Sequence, residues 1–398
     1  MRLTLAAALL LGAGCFSTPA FEGARDGSVG DGGGSGGRAL GVGYDMSTHR
    51  LFSTYFDMVF DAAHWMTPKA LRWVSAPDDE LFEFDTKYRE DAIGMSLFDN
   101  PQNNALYIVD YNGTVLSTPP DESSFQVLEM GPARAKVQVT WSGRSPCTND
   151  ADPLLGNTMT FTVYPDGRLL RTDALNGPDA PGGCQPTINA FNTFAGHKTL
   201  VYKRDGATET NMQPNDLPTG SVEPLAMSAD GWICLQDSHG SLGYTWRFPD
   251  DTSLYKEVEL LRQAEGGITF GYVISEGTPL AAGTIPVVTE MALRPGVCTD
   301  VGNQLESYQV PPTITGALWE DDDAYHTNAA QVSSLAELPA GTAFVFDSRD
   351  DVPQLELQGQ LLSEGTDFLA QRRSAGGPPV VWLNKPMHVD DVLKIDPN

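Results

Sequence analysis

Cationic side chains are scarce in this chain. It carries 25 Lys plus Arg against 52 Asp plus Glu, a formal net charge of −27. That excess of carboxylates repels nucleic acid and argues against it as a partner. It equally disfavours adsorption to anionic lipid, and an anionic polysaccharide would need a local basic patch, which the sequence does not show. Histidine is also sparse: His49, His64, His197, His239, His326 and His388 are the six, and no two stand in an H-x-x-x-H spacing. No G-x-x-x-x-G-K or helix-opening G-x-G-x-x-G occurs, so nucleotide chemistry has no support. No G-x-S-x-G occurs, which removes the strand-to-helix nucleophile elbow. Beyond Leu11 no run of about 20 apolar residues follows that could form a spanning helix.

The N-terminus is what stands out. Arg2 precedes an apolar run from Leu3 to Leu11 and the small residues Gly12-Ala13-Gly14, then Cys15. A basic start, a short apolar core and small residues before a break form a secretory signal. Cys15 in that place resembles the lipobox of bacterial lipoproteins. The pattern departs from the family in carrying Gly12, with Leu11 one step further out, where Leu usually stands three positions before the cysteine. The resemblance implies removal of residues 1–14, lipidation of Cys15 and a membrane anchor. Phe16, where the family's inner-membrane proteins usually carry Asp, points to the outer membrane. Residues 15–41 then read as the lipidated Cys and a tether. Gly27-Ser28-Val29-Gly30-Asp31-Gly32-Gly33-Gly34-Ser35-Gly36-Gly37 has no side chains with which to build a core, and Gly/Ser chains behave as flexible coil.

Four further cysteines, Cys147, Cys184, Cys234 and Cys298, would lie in an oxidising compartment after export. An even count there favours two disulfides, with three pairings open. Cys147–Cys184 is preferred because the two flank one predicted hairpin, and Cys234–Cys298 follows by elimination. A metal-thiolate site lacks the C-x-x-C spacing it would need.

From residue 105 the chain alternates with period two. Ala105–Asp110 runs into Asn112-Gly113, a hairpin turn, with Thr114–Ser117 returning. Phe125–Met130 is a strand. Ala135, Val137, Val139 and Trp141 share one face of the next strand, opposite Lys136, Gln138 and Thr140. Met159, Phe161 and Val163 point inward, with Thr158, Thr160, Thr162 and Tyr164 outward. Pro165-Asp166-Gly167 turns the chain into Arg168–Asp173. Strands follow at 232–236, 242–248, 255–261, 268–274 and 287–294. Such alternation predicts antiparallel sheet with one wet face. Residues 52–66 are ambiguous: Phe52, Phe56, Val59, Ala63 and Met66 suit a helix face, Phe56, Met58 and Phe60 also suit a strand, and the lean is to helix stopped at Thr67-Pro68. Residues 300–312, with Gly302, Asn303, Pro311 and Pro312, read as a domain boundary. Short strands beyond it, at 342–347, 354–357, 360–363, 367–370, 380–383 and 392–395, predict a second small sandwich. The fold class is mostly β, an antiparallel sandwich over 42–305 followed by a smaller C-terminal β-sandwich domain over 306–398.

The stretch Arg134–Leu175 resembles part of a galactose-mutarotase-like supersandwich. Its markers are Ala135-Lys-Val-Gln-Val-Thr-Trp141 and the hairpin Thr160-Phe-Thr-Val-Tyr-Pro-Asp-Gly-Arg168. The order of a large and then a small β-domain is similar to some polysaccharide lyases. The resemblance implies carbohydrate-related architecture. Those lyases also carry a helical toroid with most of their catalytic residues, and this chain has no room for one.

Candidate site residues are few. His239, two residues after Asp237, and Trp319, in an acidic segment, are the candidate ligand contacts. Calcium takes oxygen ligands from irregular loops, which makes Asp321, Asp322 and Asp323 beside Glu320, and Asp350 within 347–351, the candidate metal ligands. Neither loop has the D-x-[DN]-x-[DN]-G pattern. Glu80, Glu83, Asp173 and Glu290 could serve as acid or base, but a glycosidase needs two carboxyls at a fixed separation, which is a tertiary fact. The reading is an exported cell-surface lipoprotein with a binding or scaffolding role toward carbohydrate. The alternative is a carbohydrate-active enzyme, a polysaccharide lyase or an epimerase-like protein.

Overall fold

The computed structural model describes residues 40–62, 66–82, 95–100, 105–109, 122–143, 155–176, 192–194, 199–203, 208–212, 222–225, 231–247, 255–262, 268–274, 287–309, 311–320, 323–372 and 378–397. Cys15, the tether up to residue 39, Ala63, Glu83, Cys147, Cys184, Asn112-Gly113 and its returning strand, His64, His197, Asp321 and Asp322 lie outside them.

The centre is a nine-stranded sheet, antiparallel at every described pairing. Its middle is the predicted meander. Ala135–Gly143 pairs with Leu155–Val163, which pairs through the 165–167 turn with Arg168–Asn176. Strand Val287–Arg294 lies between Arg168–Asn176 and Ser241–Arg247. The alternation in sequence is the alternation in burial on one face, where Val137, Val139, Met159, Phe161 and Val163 are all fully buried.

That face is covered by a five-stranded sheet made of Gly43–Asp45, Arg50–Phe52, Phe56–Asp61, Thr67–Trp73 and Ala76–Phe82. Phe60 meets Phe161 edge-on at 5.6 Å and Phe125 at 5.5 Å. Here the expected helix over 52–66 gives way to strand. Phe56, Met58 and Phe60 are buried while Asp57 and Val59 are only partly so, which is period two. The competing helical face needed Ala63 and Met66, and the chain has left the strand before reaching Met66, at positive φ.

The opposite face was expected to be wet. Tyr164 is fully buried and Thr162 nearly so. Two things cover this face. One is the helix Cys298–Gln309, which occupies the segment read as a boundary. Cys298, Val301, Leu305 and Tyr308 recur on one side and are buried, and Pro311-Pro312 follows its end. The mid-helix Gly302 masked this period in the sequence. It is there because a Cβ at 302 would sit inside the Trp232 indole.

The second cover is the C-terminal sandwich. One sheet orders Ile314–Thr315, Gln331–Ser334, Val392–Ile395, Leu355–Leu357 and Gln360–Leu361. The other orders Leu318–Glu320, Ala324–Thr327, Thr342–Phe346, Pro379–Leu383 and Phe368–Arg372. Ala324–Thr327 and Thr342–Phe346 run parallel. Between the sheets lies a core of Val332, Leu355, Leu393, Phe344, Val381 and their neighbours. The second sheet is buried on its other face too: Ala343, Val345, Val380 and Trp382 pack on Ala133, Tyr164, Leu170 and Val288 of the nine-stranded sheet. Thr342–Phe346 and Pro379–Leu383 are accordingly buried at every position. Residues 40–398 form one compact unit.

Candidate functional site

The densest set of polar side chains among the described residues lies where the hairpin 164–168, the helix and the C-terminal sandwich meet. Gly167 supplies the turn with φ 87°. Its N–H donates to the Tyr164 carbonyl and the Tyr164 N–H to the Arg168 carbonyl, which closes the hairpin. The turn brings the Tyr164 ring against the Arg168 guanidinium, 4.0 Å from Cζ to the ring centre. The last turn of the helix lays Tyr308 against the same guanidinium at 4.2 Å. Nη2 donates to the Gly341 carbonyl at 3.2 Å and Nη1 faces the Asp323 carbonyl at 3.5 Å. Arg168 has no exposure.

Further polar groups surround this joint. Gln304 Nε2 donates to Tyr308 Oη at 2.9 Å and to Asp166 Oδ2 at 3.3 Å. Tyr308 Oη lies 3.4 Å from the same oxygen. Burial drives the Tyr308 phenol well above its ordinary pKa, so it stays neutral and donates. Alongside, Arg134 grips Glu129 with both ends of its fork, at 2.9 and 3.1 Å, and faces Tyr164 Oη at 3.4 Å. From the C-terminal side, Gln371 Oε1 accepts the backbone N–H groups of Ala133 and Arg134, at 3.2 and 2.8 Å. Glu290, fully buried, shares this face of the sheet with Leu170 and Thr245. These groups hold sheets together. A guanidinium enclosed on every side cannot meet a substrate.

The expected ligand and metal residues go to separate places. Trp319 is partly buried and part of an aromatic file. It lies 6.5 Å from Tyr308, nearly parallel, and 4.8 Å edge-on from Tyr325, which stacks on Phe344 at 5.7 Å. His239 sits in a turn whose geometry comes from Asp237. That carboxylate accepts the backbone N–H groups of His239 and Gly240, at 2.7 and 3.1 Å, and Trp73 Nε1 at 3.1 Å. Thus Asp237 orients backbone. Asp323 is fully buried at positive φ, with its carbonyl turned to Arg168. Asp350 is exposed. Among the described residues no three His, Cys, Asp or Glu side chains gather as a metal would require.

The fold does bring the two acidic segments to one histidine. His326 Nδ1 lies 2.9 Å from Asp347 Oδ1, and Nε2 lies 3.5 Å from Glu320 Oε2. The carboxylates face opposite ring nitrogens, so they have no common point at which to share a cation. The ring is thus held between two carboxylates, hydrogen-bonded to Asp347 through Nδ1 and near Glu320 through Nε2. Sequence spacing could not find this pair, because the three residues come from different strands and their ends. A second histidine, His388, is exposed beside Glu337, with Nδ1 at 2.7 Å from Oε2. That hydrogen bond and charge raise its pKa. A group whose pKa rises on folding stabilises the fold while protonated. Its contribution is complete below the ordinary histidine value of about 6.5 and is lost as pH rises through the folded value. In an NMR titration, His388 should titrate above that ordinary value and return to it in Glu337→Gln. An unchanged midpoint would dismiss the pair.

The predicted pairing Cys234–Cys298 is present as a disulfide, with Cα atoms 5.6 Å apart.

No protein-family model matches the chain, and no curated protein matches it. Solved structures with similar features include galactose 1-epimerase from Lactobacillus acidophilus NCFM, at 11% identity over 61% of this chain and 92% of that one, TM-score 0.37. A GalM/aldose epimerase homologue from C. elegans aligns at 10% identity over 63% and 97%, TM-score 0.34. A polysaccharide lyase aligns at 9% identity over 86% and 45%, TM-score 0.36. The β-sandwich assignment rests on the sheets described above and not on these likenesses.

Proposed function

We propose that this protein is an exported lipoprotein, held at the outer membrane or cell surface through Cys15, whose β-body presents a binding or scaffolding surface with carbohydrate as its ligand class. The observation that carries the reading is the N-terminal pattern of Arg2, the apolar run Leu3–Leu11 and the small residues before Cys15. The enclosed Arg168 joint and the apolar contact beside it hold the C-terminal sandwich on the large sheet, and preorganised surfaces bind at a lower ordering cost. The signal and lipobox pattern support export and anchoring, and the Gly-rich segment 27–37 supports display away from a membrane. Carbohydrate rests on the hairpin resemblance in 134–175.

Fractionation tests the anchor. Wild type should partition with membranes and Cys15→Ala with soluble material; equal solubility of the two would end the lipoprotein reading. A glycan array tests the ligand class. The purified protein should retain at least one glycan, and retention should vanish on denaturation. Retention of none would remove carbohydrate from the proposal.

A further inference from the structure

The helix Cys298–Gln309 joins two features that are far apart in the fold. Its first residue is disulfide-bonded to Cys234 of strand Trp232–Gln236, and both cysteines are buried. Its second half carries Gln304 and Tyr308, which both meet Asp166, and Tyr308 also faces Arg168 at the joint. The distance along the helix from Cys298 to Tyr308 is about 15 Å at 1.5 Å per residue.

Between these ends the helix lies flat on the nine-stranded sheet. Val301 and Leu305 rest over Gly243, where a Cβ would come within 2.7 and 2.8 Å of them. Glu306 Oε1 accepts from Trp232 Nε1 at 2.7 Å and from Lys203 Nζ at 2.5 Å. The helix has little strength of its own. It spans 12 residues, has Gly302 in its interior and carries no basic side chain in its last turn. Helices of that length are marginal in water unless docked. The disulfide ties positions 64 residues apart and thereby keeps the first turn on the sheet.

We propose that this helix is a redox-sensitive coupler: the Cys234–Cys298 disulfide keeps it docked, and through Tyr308 it keeps the C-terminal sandwich seated on Arg168. Reduction by a dithiol adds two electrons and two protons. The S–S bond becomes two thiols and the dithiol closes to its own disulfide. The helix start is then released, and the stacking of Tyr308 on Arg168 weakens with it.

Hydrogen exchange on the whole protein tests this, with dithiothreitol as the reductant. Reduction should speed amide exchange in Cys298–Gln309 and in Ala324–Thr327 by about fivefold or more, the lower end of ordinary coupling. Strand Ala135–Gly143 should not change. The double variant Cys234→Ala/Cys298→Ala, kept without reductant, should show the same pattern while leaving Cys147 and Cys184 untouched. Linkage makes the coupling reciprocal. Tyr308→Leu, with the disulfide intact, should therefore loosen Ala324–Thr327 and shift the reduction midpoint toward weaker dithiothreitol buffers by a comparable factor. An effect confined to the first helical turn would overturn the proposal. So would a uniform rise that includes Ala135–Gly143, or an unmoved reduction midpoint in Tyr308→Leu. If the double variant fails to fold, the dithiothreitol titration of wild type and Tyr308→Leu decides between the same outcomes.

Discussion

Arg168→Ala should destabilise the protein by about 3–5 kcal/mol, the summed scale of two desolvated cation–π contacts and the hydrogen bonds of a buried cation. Three losses combine. The guanidinium leaves two aromatic rings at 4.0 and 4.2 Å, a desolvated cation–π arrangement of the stronger kind. The Gly341 and Asp323 carbonyls lose their donor. Asp166, which Tyr308 and Gln304 also face, loses its neighbouring positive charge inside the joint. Arg168→Lys keeps the charge but has neither the plane that stacks between rings nor the fork that reaches two carbonyls. It should recover only part of the loss. Urea unfolding measures both variants, read as a lower midpoint at unchanged slope. A loss below about 1 kcal/mol, the scale of an exposed ion pair, would show that the joint does not bind the sandwich to the sheet.

Gly302→Ala is the second large effect, and its sign separates two physical accounts. Helix propensity alone makes Ala better than Gly by about 1 kcal/mol in a helix interior. Here the added methyl would overlap the indole of Trp232, which is fully buried and hydrogen-bonded to Glu306. Overpacking costs about 1–3 kcal/mol and occasionally more, and the indole can shift only by giving up its bond to Glu306. The net expectation is a loss of about 2 kcal/mol despite the propensity gain. Asn303→Ala, one residue on and exposed, is the control. It should be neutral or slightly stabilising, because only propensity acts there. Stabilisation by Gly302→Ala in a chemical melt would refute close docking of the helix on Trp232.

The strands were legible where apolar and polar residues alternate along the chain. Val137, Val139, Met159, Phe161 and Val163 alternate in sequence and in burial. The short C-terminal strands near 342, 355, 368, 380 and 392 fell close to their expected places. Two further signals lie in the sequence without alternation. The unbroken apolar runs Thr342–Phe346 and Pro379–Leu383 mark strands buried on both faces, and so announce a further covering layer. The set Cys298, Val301, Leu305 and Tyr308 is a helical face, obscured by Gly302, whose reason lies in another strand.

Sequence by itself left three cysteine pairings open and determined the β class, the positions of the clear strands and the acidity of the chain. Those are local or compositional properties, carried by period, turn residues and counts. Tertiary structure alone decided that Tyr164 and Arg168 face inward, that Trp319 belongs to a file of packed rings, and that Glu320 and Asp347 converge on His326 from opposite sides. The contacts at Arg168 join residues more than a hundred positions apart, and the others join separate elements of the fold. Spacing along the chain carries no information about such meetings, because the sheet that buries a residue is built elsewhere in the sequence.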